Sequence, residues 1–149
     1  MKLDHILVCT DLSPESDRPL DEIGRFARTV GADVTLLHVV HETPAIGSGG
    51  LPPVPIDYDE FGRLIRTAES AVAERADRLG GEAEARAVVV SGSRVADTVL
   101  DYAREHDVDL IALSTHGRTG FRRLVLGSVA SDLISGARVP VLVFPRREE

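Results

Sequence analysis

Hydrophobic residues along this chain alternate between short continuous runs and longer stretches in which they recur at helical spacing. The runs cover residues 6–10, 34–40, 85–90, 108–113 and 139–144. They are short and rich in β-formers, and the second is apolar on both faces, which is typical of a central strand in a parallel sheet. The pattern therefore predicts five strands.

The stretches between these runs have the spacing of amphipathic helices. The first is expected to begin at Ser13, a capping residue followed by Pro14, and to end at Gly31. Three more helices are expected over residues 57–79, 95–105 and 128–136, and residues 91–93 (SGS) are expected to form a turn that caps the second of these. Strands separated by helices imply right-handed crossovers and a parallel sheet covered on both faces. The fold class is therefore α/β.

Composition adds limits to this picture. The chain has 149 residues, which fits one domain over residues 1–149, and the Pro- and Gly-rich residues 42–56 are interpreted as a flexible loop within it. No apolar stretch approaches the roughly 18–20 residues that span a bilayer. The single cysteine, Cys9, excludes an internal disulfide framework, so a cytoplasmic location is the simplest expectation.

Charge narrows the possible partners. The net charge of −7 argues against general binding to nucleic acid or to anionic membranes. Lys2 is the only lysine, so 16 of the 17 basic residues are arginine. An acidic chain with almost no lysine is typical of a high-salt cytoplasm such as that of a halophilic archaeon, but a high-GC genome gives the same bias.

One stretch departs from the acidic background. Residues 110–131 contain no acid, although the overall content of 24 acids predicts about three or four there, and they carry Arg118, Arg122 and Arg123. This stretch combines glycines with a hydroxyl residue, Ser128, at a predicted helix start, where it is expected to be the N-cap. An acid-free glycine loop with arginines suggests a phosphate site.

Chain order places this loop after the fourth strand. Open parallel sheets bind ligands at the carboxyl ends of their strands, where the strand order reverses. The turn after the first strand, which contains Asp11, and the loop after the fourth are therefore the expected walls of a site. His116 lies in the loop and could contact phosphate or simply be solvated. Asp11 could contact a ligand or cap its own turn.

The whole chain resembles the universal stress protein family. The resemblance rests on residues 5–13 (HILVCTDLS), 36–39 (LLHV), 91–93 (SGS), 115–120 (THGRTG), 126–130 (LGSVA) and 139–143 (VPVLV). The nucleotide-binding branch of that family carries the motif Gly, two residues, Gly, nine residues, Gly and then Ser or Thr. Gly117, Gly127 and Ser128 match it, whereas Ser114 replaces the first glycine.

The resemblance implies a Rossmann-like, three-layer sandwich with strand order 3-2-1-4-5 that binds ATP, alone or with Mg²⁺, and forms a homodimer through the strand at residues 139–144. By position it places Asp11 near the ribose and Val39 at the adenine edge. The predicted binding residues are Thr10, Asp11, Val39, Leu113, Ser114, His116, Gly117, Gly127, Ser128 and Val129. Ser114 could crowd the site where glycine is usual, or could donate a hydrogen bond.

Catalytic and metal-binding motifs are absent from the sequence. No Walker lysine, nucleophile elbow or Cys/His cluster occurs in it. The leading hypothesis is an ATP-binding module for stress response or regulation, with little or no catalysis. The alternatives are a dimeric scaffold of the same fold that binds no nucleotide, and a slow ATPase.

Overall fold

The computed structural model describes residues 2–42, 57–80, 85–114 and 126–144. Its strands are β1 (His5–Cys9), β2 (Asp33–His41), β3 (Ala85–Gly92), β4 (Leu110–Ser114) and β5 (Val141–Phe144). Its helices are α1 (Pro14–Asp17), α2 (Leu20–Val30), α3 (Tyr58–Gly80), α4 (Val95–Glu105) and α5 (Ser128–Gly136).

The five strands form one parallel sheet in the order β3-β2-β1-β4-β5, with helices on both faces, as predicted. Alternate residues of β1 enter two separate hydrophobic cores. Ile6 packs with residues of α2 and α3, whereas Leu7 packs with residues of α4 and α5. Both side chains are fully buried. The strand order reverses between β1 and β4, so a crevice is expected at their carboxyl ends.

The first crossover contains two helices rather than the single helix predicted. The Ser13 cap is confirmed, since its Oγ accepts the Ser16 N–H at 3.3 Å. Pro19 then interrupts the helix, because a proline has no N–H and its ring clashes with the preceding turn. Gly31 ends α2 in the left-handed conformation, at a φ of 72°, as predicted.

Two other helix starts differ from the sequence prediction. The expected cap of α4 within residues 91–93 is wrong, because β3 continues to Gly92 and Arg94 takes the cap position without a side-chain bond. Ser128 is likewise the first residue of α5 and not its cap. Gly127 takes the cap position, and its carbonyl accepts the Ser131 N–H at 2.9 Å.

The predicted loop 42–56, apart from Glu42, lies outside the described residues. In the helices that the structure describes, no segment has the length and apolar character needed to cross a membrane.

Candidate functional site

A cavity of about 300 Å³ opens at the carboxyl ends of β1, β2 and β4, next to α4 and α5. It brings together eight of the ten predicted binding residues: Thr10, Asp11, Val39, Leu113, Ser114, Gly127, Ser128 and Val129. The other two, His116 and Gly117, lie outside the described residues, as do the three loop arginines. Residues from four separate parts of the sequence therefore line one cavity.

Part of the cavity wall is apolar and was not predicted. Val95 and Val99 line it from α4, one helical turn apart, and this spacing is the signal that could have identified them. Cys9 also lines it, and burial raises the pKa of its thiol to about 12. The thiol is therefore neutral at physiological pH and acts as a small apolar group.

The loop between β1 and α1 is held by a chain of hydrogen bonds through two buried hydroxyls, those of Thr10 and Ser16. The Leu12 N–H donates to Thr10 Oγ1 at 3.0 Å, and Ser16 Oγ donates to the Ser13 carbonyl at 2.8 Å. The two hydroxyl oxygens are 2.9 Å apart. Because Ser16 has already used its proton, Thr10 must donate to Ser16.

Asp11 is bound within the same loop. Its Oδ1 accepts the Ser13 N–H at 3.0 Å and the Ser13 hydroxyl at 2.5 Å. Desolvation, the largest single effect, raises the pKa of Asp11, but the bonds from Ser13 and its neighbours outweigh it and lower the pKa overall. The carboxylate is therefore ionised at neutral pH. The turn-capping role left open by the sequence is present in the structure.

The end of β2 is tied to the end of β1. The Thr10 N–H donates to the Leu37 carbonyl at 3.0 Å, and His38 Nδ1 lies 2.9 Å from the Thr10 carbonyl oxygen. A carbonyl only accepts, so Nδ1 carries the proton. His38 therefore has a satisfied hydrogen bond, and its side chain is half-buried. Val39 follows directly and lines the cavity.

The opposite wall is the N-terminus of α5. Gly127, Ser128 and Val129 line the cavity, and no side chain caps the first turn. That turn also contains no acidic residue. Unpaired backbone N–H groups and the positive end of the helix dipole favour an anion at such a position.

Ser114, the position that departs from the family motif, ends β4 with ordinary backbone geometry. It pairs with Phe144 of β5. Among the described residues other than glycine, only Leu12 and Asp107 have a positive φ. The serine therefore needs no left-handed backbone, and its effect on a ligand comes from its side chain, through the room that it takes or the hydrogen bond that its hydroxyl can donate.

The cavity combines an apolar wall with a carboxylate on one side and a helix N-terminus on the other. Over the described ranges, no group of three or more His, Cys, Asp or Glu side chains could hold a metal ion. The site suits a ligand with a flat apolar part and an anionic part.

Known proteins resemble this chain over its full length. Universal stress protein A homolog 1 of Coxiella burnetii is 30% identical over 148 residues, which cover 99% of this chain and 100% of the relative. Among solved structures, the universal stress protein UspA from Lactobacillus plantarum superposes with a TM-score of 0.78 at 24% identity, covering 96% of this chain and 98% of that one.

Two further structures hold nucleotides. One is a universal stress protein in complex with cAMP, with a TM-score of 0.68, 21% identity and coverage of 99% of this chain and 100% of that one. The other is the Archaeoglobus fulgidus protein in complex with dAMP, with a TM-score of 0.63, 24% identity and coverage of 96% and 98%. At this identity the likeness shows the fold.

The family model for the universal stress protein family matches residues 2–145. Together with the sheet order and the full-length relative, this match shows that the chain belongs to the universal stress protein family.

Proposed function

We propose that this universal stress protein binds an adenine nucleotide, with ATP as the expected ligand, and works as a module for stress response or regulation with little or no hydrolysis. The observation that carries the proposal is the gathering of eight sequence-predicted residues around one cavity beside the N-terminus of α5. The cAMP and dAMP complexes of proteins with the same fold support an adenine nucleotide as the class of ligand.

The chemistry of the cavity suggests how the nucleotide would lie. The adenine ring would pack on the apolar side, against Val39, Val95 and Val99. The ionised carboxylate of Asp11 would accept a hydrogen bond from a ribose hydroxyl. The phosphates would meet the N-terminus of α5 at Ser128. His116 and Gly117 of the loop would complete the phosphate contacts.

A homodimer through residues 139–144 and a location in the cytoplasm belong to the same proposal. β5 is an edge strand that pairs only with β4 in the sheet that the structure describes, and its four residues are half-buried. Edge strands are normally protected, and pairing with a two-fold mate would protect this one. Light scattering should give the mass of two chains, and a monomer would contradict this part of the proposal.

Nucleotide binding is tested by thermal unfolding of the purified chain at increasing concentrations of ATP with Mg²⁺. The same titration with GTP is the matched comparison. A ligand that binds only the folded state stabilises it by about 2.7 kcal/mol at 100 times its Kd, so the melting temperature should rise with ATP concentration. Val95→Phe is the matched variant. It should fill the cavity and remove the ATP effect while the unliganded protein remains folded.

The absence of a shift at millimolar ATP would contradict the proposal. Mass spectrometry of the denatured protein should also detect a co-purified adenine nucleotide. Phosphate release should stay at background. If phosphate release exceeded background and was lost in Asp11→Ala, the hypothesis of a slow ATPase would replace that of a binding module.

A further inference from the structure

Arg75 of α3 lies outside the cavity yet holds the loop that forms one of its walls. Its Nη2 donates to the Leu12 carbonyl at 3.1 Å, and its Nε donates to Asp17 Oδ1 at 2.6 Å. A third bond runs from Nη1 to the Ala71 carbonyl of its own helix at 3.1 Å. The side chains of Arg75 and Asp17 are 18% and 22% exposed, less than in any other ion pair among the described residues.

The conformation of Leu12 explains why the loop requires such contacts. Its φ of 63° lies in the left-handed region, which is unfavourable for a residue with a Cβ. Its N–H is bound by Thr10 Oγ1 and its carbonyl by Arg75. The peptide groups on both sides of Leu12 are thus fixed, and Asp11, the residue before it, is held in one orientation.

We propose that Arg75 is a positioning residue for nucleotide binding. It fixes the loop between β1 and α1, through Leu12 and Asp17, so that the Asp11 carboxylate is presented to the ligand. This inference rests on the proposed function. Arg75 is absent from the cavity lining, so it acts only through the loop.

A guanidinium is suited to this role and an ammonium is not. The planar group directs separate N–H donors to the Leu12 carbonyl, the Asp17 carboxylate and the Ala71 carbonyl at once, whereas lysine offers one compact charge. Without the hydrogen bonds from Arg75, the loop would populate other conformations. The apparent Kd would then equal the intrinsic Kd divided by the fraction of molecules whose loop remains in the binding-competent conformation.

The test compares the ATP affinity of Arg75→Lys, Asp17→Asn and the wild type by calorimetry, well below each melting temperature. Arg75→Lys should raise the Kd about tenfold and Asp17→Asn less, because the bond to Leu12 remains. Arg78→Ala is the matched control. Arg78 lies on the same helix and pairs with the exposed Asp21 at 3.6 Å, so its loss should leave the Kd unchanged.

A double-mutant cycle separates positioning from a general structural role. If Arg75 acts through Asp11, the effects of Arg75→Lys and Asp11→Asn on the Kd for ATP should be strongly non-additive. The Kd of the double variant should then lie close to that of the single variant that binds ATP more weakly. Hydrogen exchange should also show faster exchange of the Leu12 amide in unliganded Arg75→Lys, without a change in α5.

Unchanged ATP affinity in Arg75→Lys, or additive effects with Asp11→Asn, would overturn the inference while leaving nucleotide binding intact. A wild-type chain that binds no adenine nucleotide would overturn the proposed function and this inference together.

Discussion

Two turns, the one that follows β1 and the first helical turn of α5, line the same cavity and are built in different ways. The first is closed by side chains: the hydroxyls of Thr10, Ser13 and Ser16 and the carboxylate of Asp11 bond to one another and to the backbone. At the second, α5 begins without any side-chain cap. The first turn should therefore contribute to stability without a ligand, whereas the second leaves its backbone donors for a ligand.

The largest effect is expected from Thr10→Val, which keeps the shape of the side chain and removes the hydroxyl. The Leu12 N–H would lose its acceptor and the buried Ser16 hydroxyl would lose its donor. Leaving such groups unsatisfied costs about 1–3 kcal/mol each, so we expect the free energy of unfolding to fall by about 2–3 kcal/mol.

Urea unfolding at a constant m-value measures this loss. Thr29→Val is the matched control, because the exposed Thr29 hydroxyl donates only to the Arg25 carbonyl of its own helix. A loss in Thr10→Val no larger than in Thr29→Val would show that the first turn is not held by its side chains.

The second prediction compares the serine that caps α1 with the serine that begins α5. Ser13→Ala removes an N-cap, so the free energy of unfolding should fall by about 1 kcal/mol without ligand. Ser128→Ala removes no capping bond and should change it by less than about 0.5 kcal/mol. The ATP affinity of Ser128→Ala should fall about fivefold, equivalent to about 1 kcal/mol.

Chemical unfolding and calorimetry on the same two variants decide this prediction. Equal stability losses in the two variants, or an unchanged ATP affinity in Ser128→Ala, would remove the distinction between the turns.

A smaller effect is expected from Ser114→Gly, which restores the glycine of the family motif at the end of β4. Because Ser114 has no positive φ, the substitution relieves no backbone strain, and its benefit is room for the ligand. The Kd for ATP should fall about threefold, while the free energy of unfolding falls by about 0.5–1 kcal/mol from added chain entropy.

Ser114→Ala separates the two roles left open by the sequence. It keeps the Cβ and removes the hydroxyl, so its ATP affinity should stay near the wild-type value if room is the issue. Weaker binding in both variants would show that the Ser114 hydroxyl donates to the ligand.

The sequence predicted the parts of this molecule that depend on local pattern. The strand runs, the Ser13 cap and the Gly31 terminus are encoded by neighbouring residues, and the structure confirms them. The break at Pro19 was missed because Ser13 and Pro14 mark a helix start before it, whereas the apolar residues at helical spacing begin only at Leu20. The cap of α5 was misplaced by one residue because Gly127 and Ser128 are both acceptable caps.

The first wall of the site could be predicted only in part. The position of Asp11 follows from strand order, but the contact that fixes its loop comes from Arg75, 63 residues beyond Leu12. Arginines are common on exposed helix faces, so nothing in the local pattern of α3 marks this one. Its role depends on how α3 packs, which is a tertiary property.

The smallest effect concerns the charge of Asp11 and is seen in its pH dependence. The folded-state pKa of Asp11 lies below the usual aspartate value of 3.8, so ionisation of Asp11 stabilises the fold above that pH, and this contribution is lost as the pH falls through the folded-state pKa. Asp11→Asn retains an Oδ1 acceptor for both Ser13 bonds, so it removes mainly the charge. The other carboxylates titrate alike in the wild type and in Asp11→Asn, so their contributions cancel in the difference in free energy of unfolding between the two proteins. The difference in free energy of unfolding should therefore be constant from neutral pH to about 5 and shrink towards about pH 3.

In Ser13→Ala, NMR titration should place the pKa of Asp11 closer to 3.8, because the hydroxyl bond at 2.5 Å is gone. If the difference in free energy of unfolding between the wild type and Asp11→Asn stayed constant to the lowest pH, the loop would not stabilise this carboxylate. The first turn would then leave its carboxylate for a ligand, just as the second leaves its backbone donors.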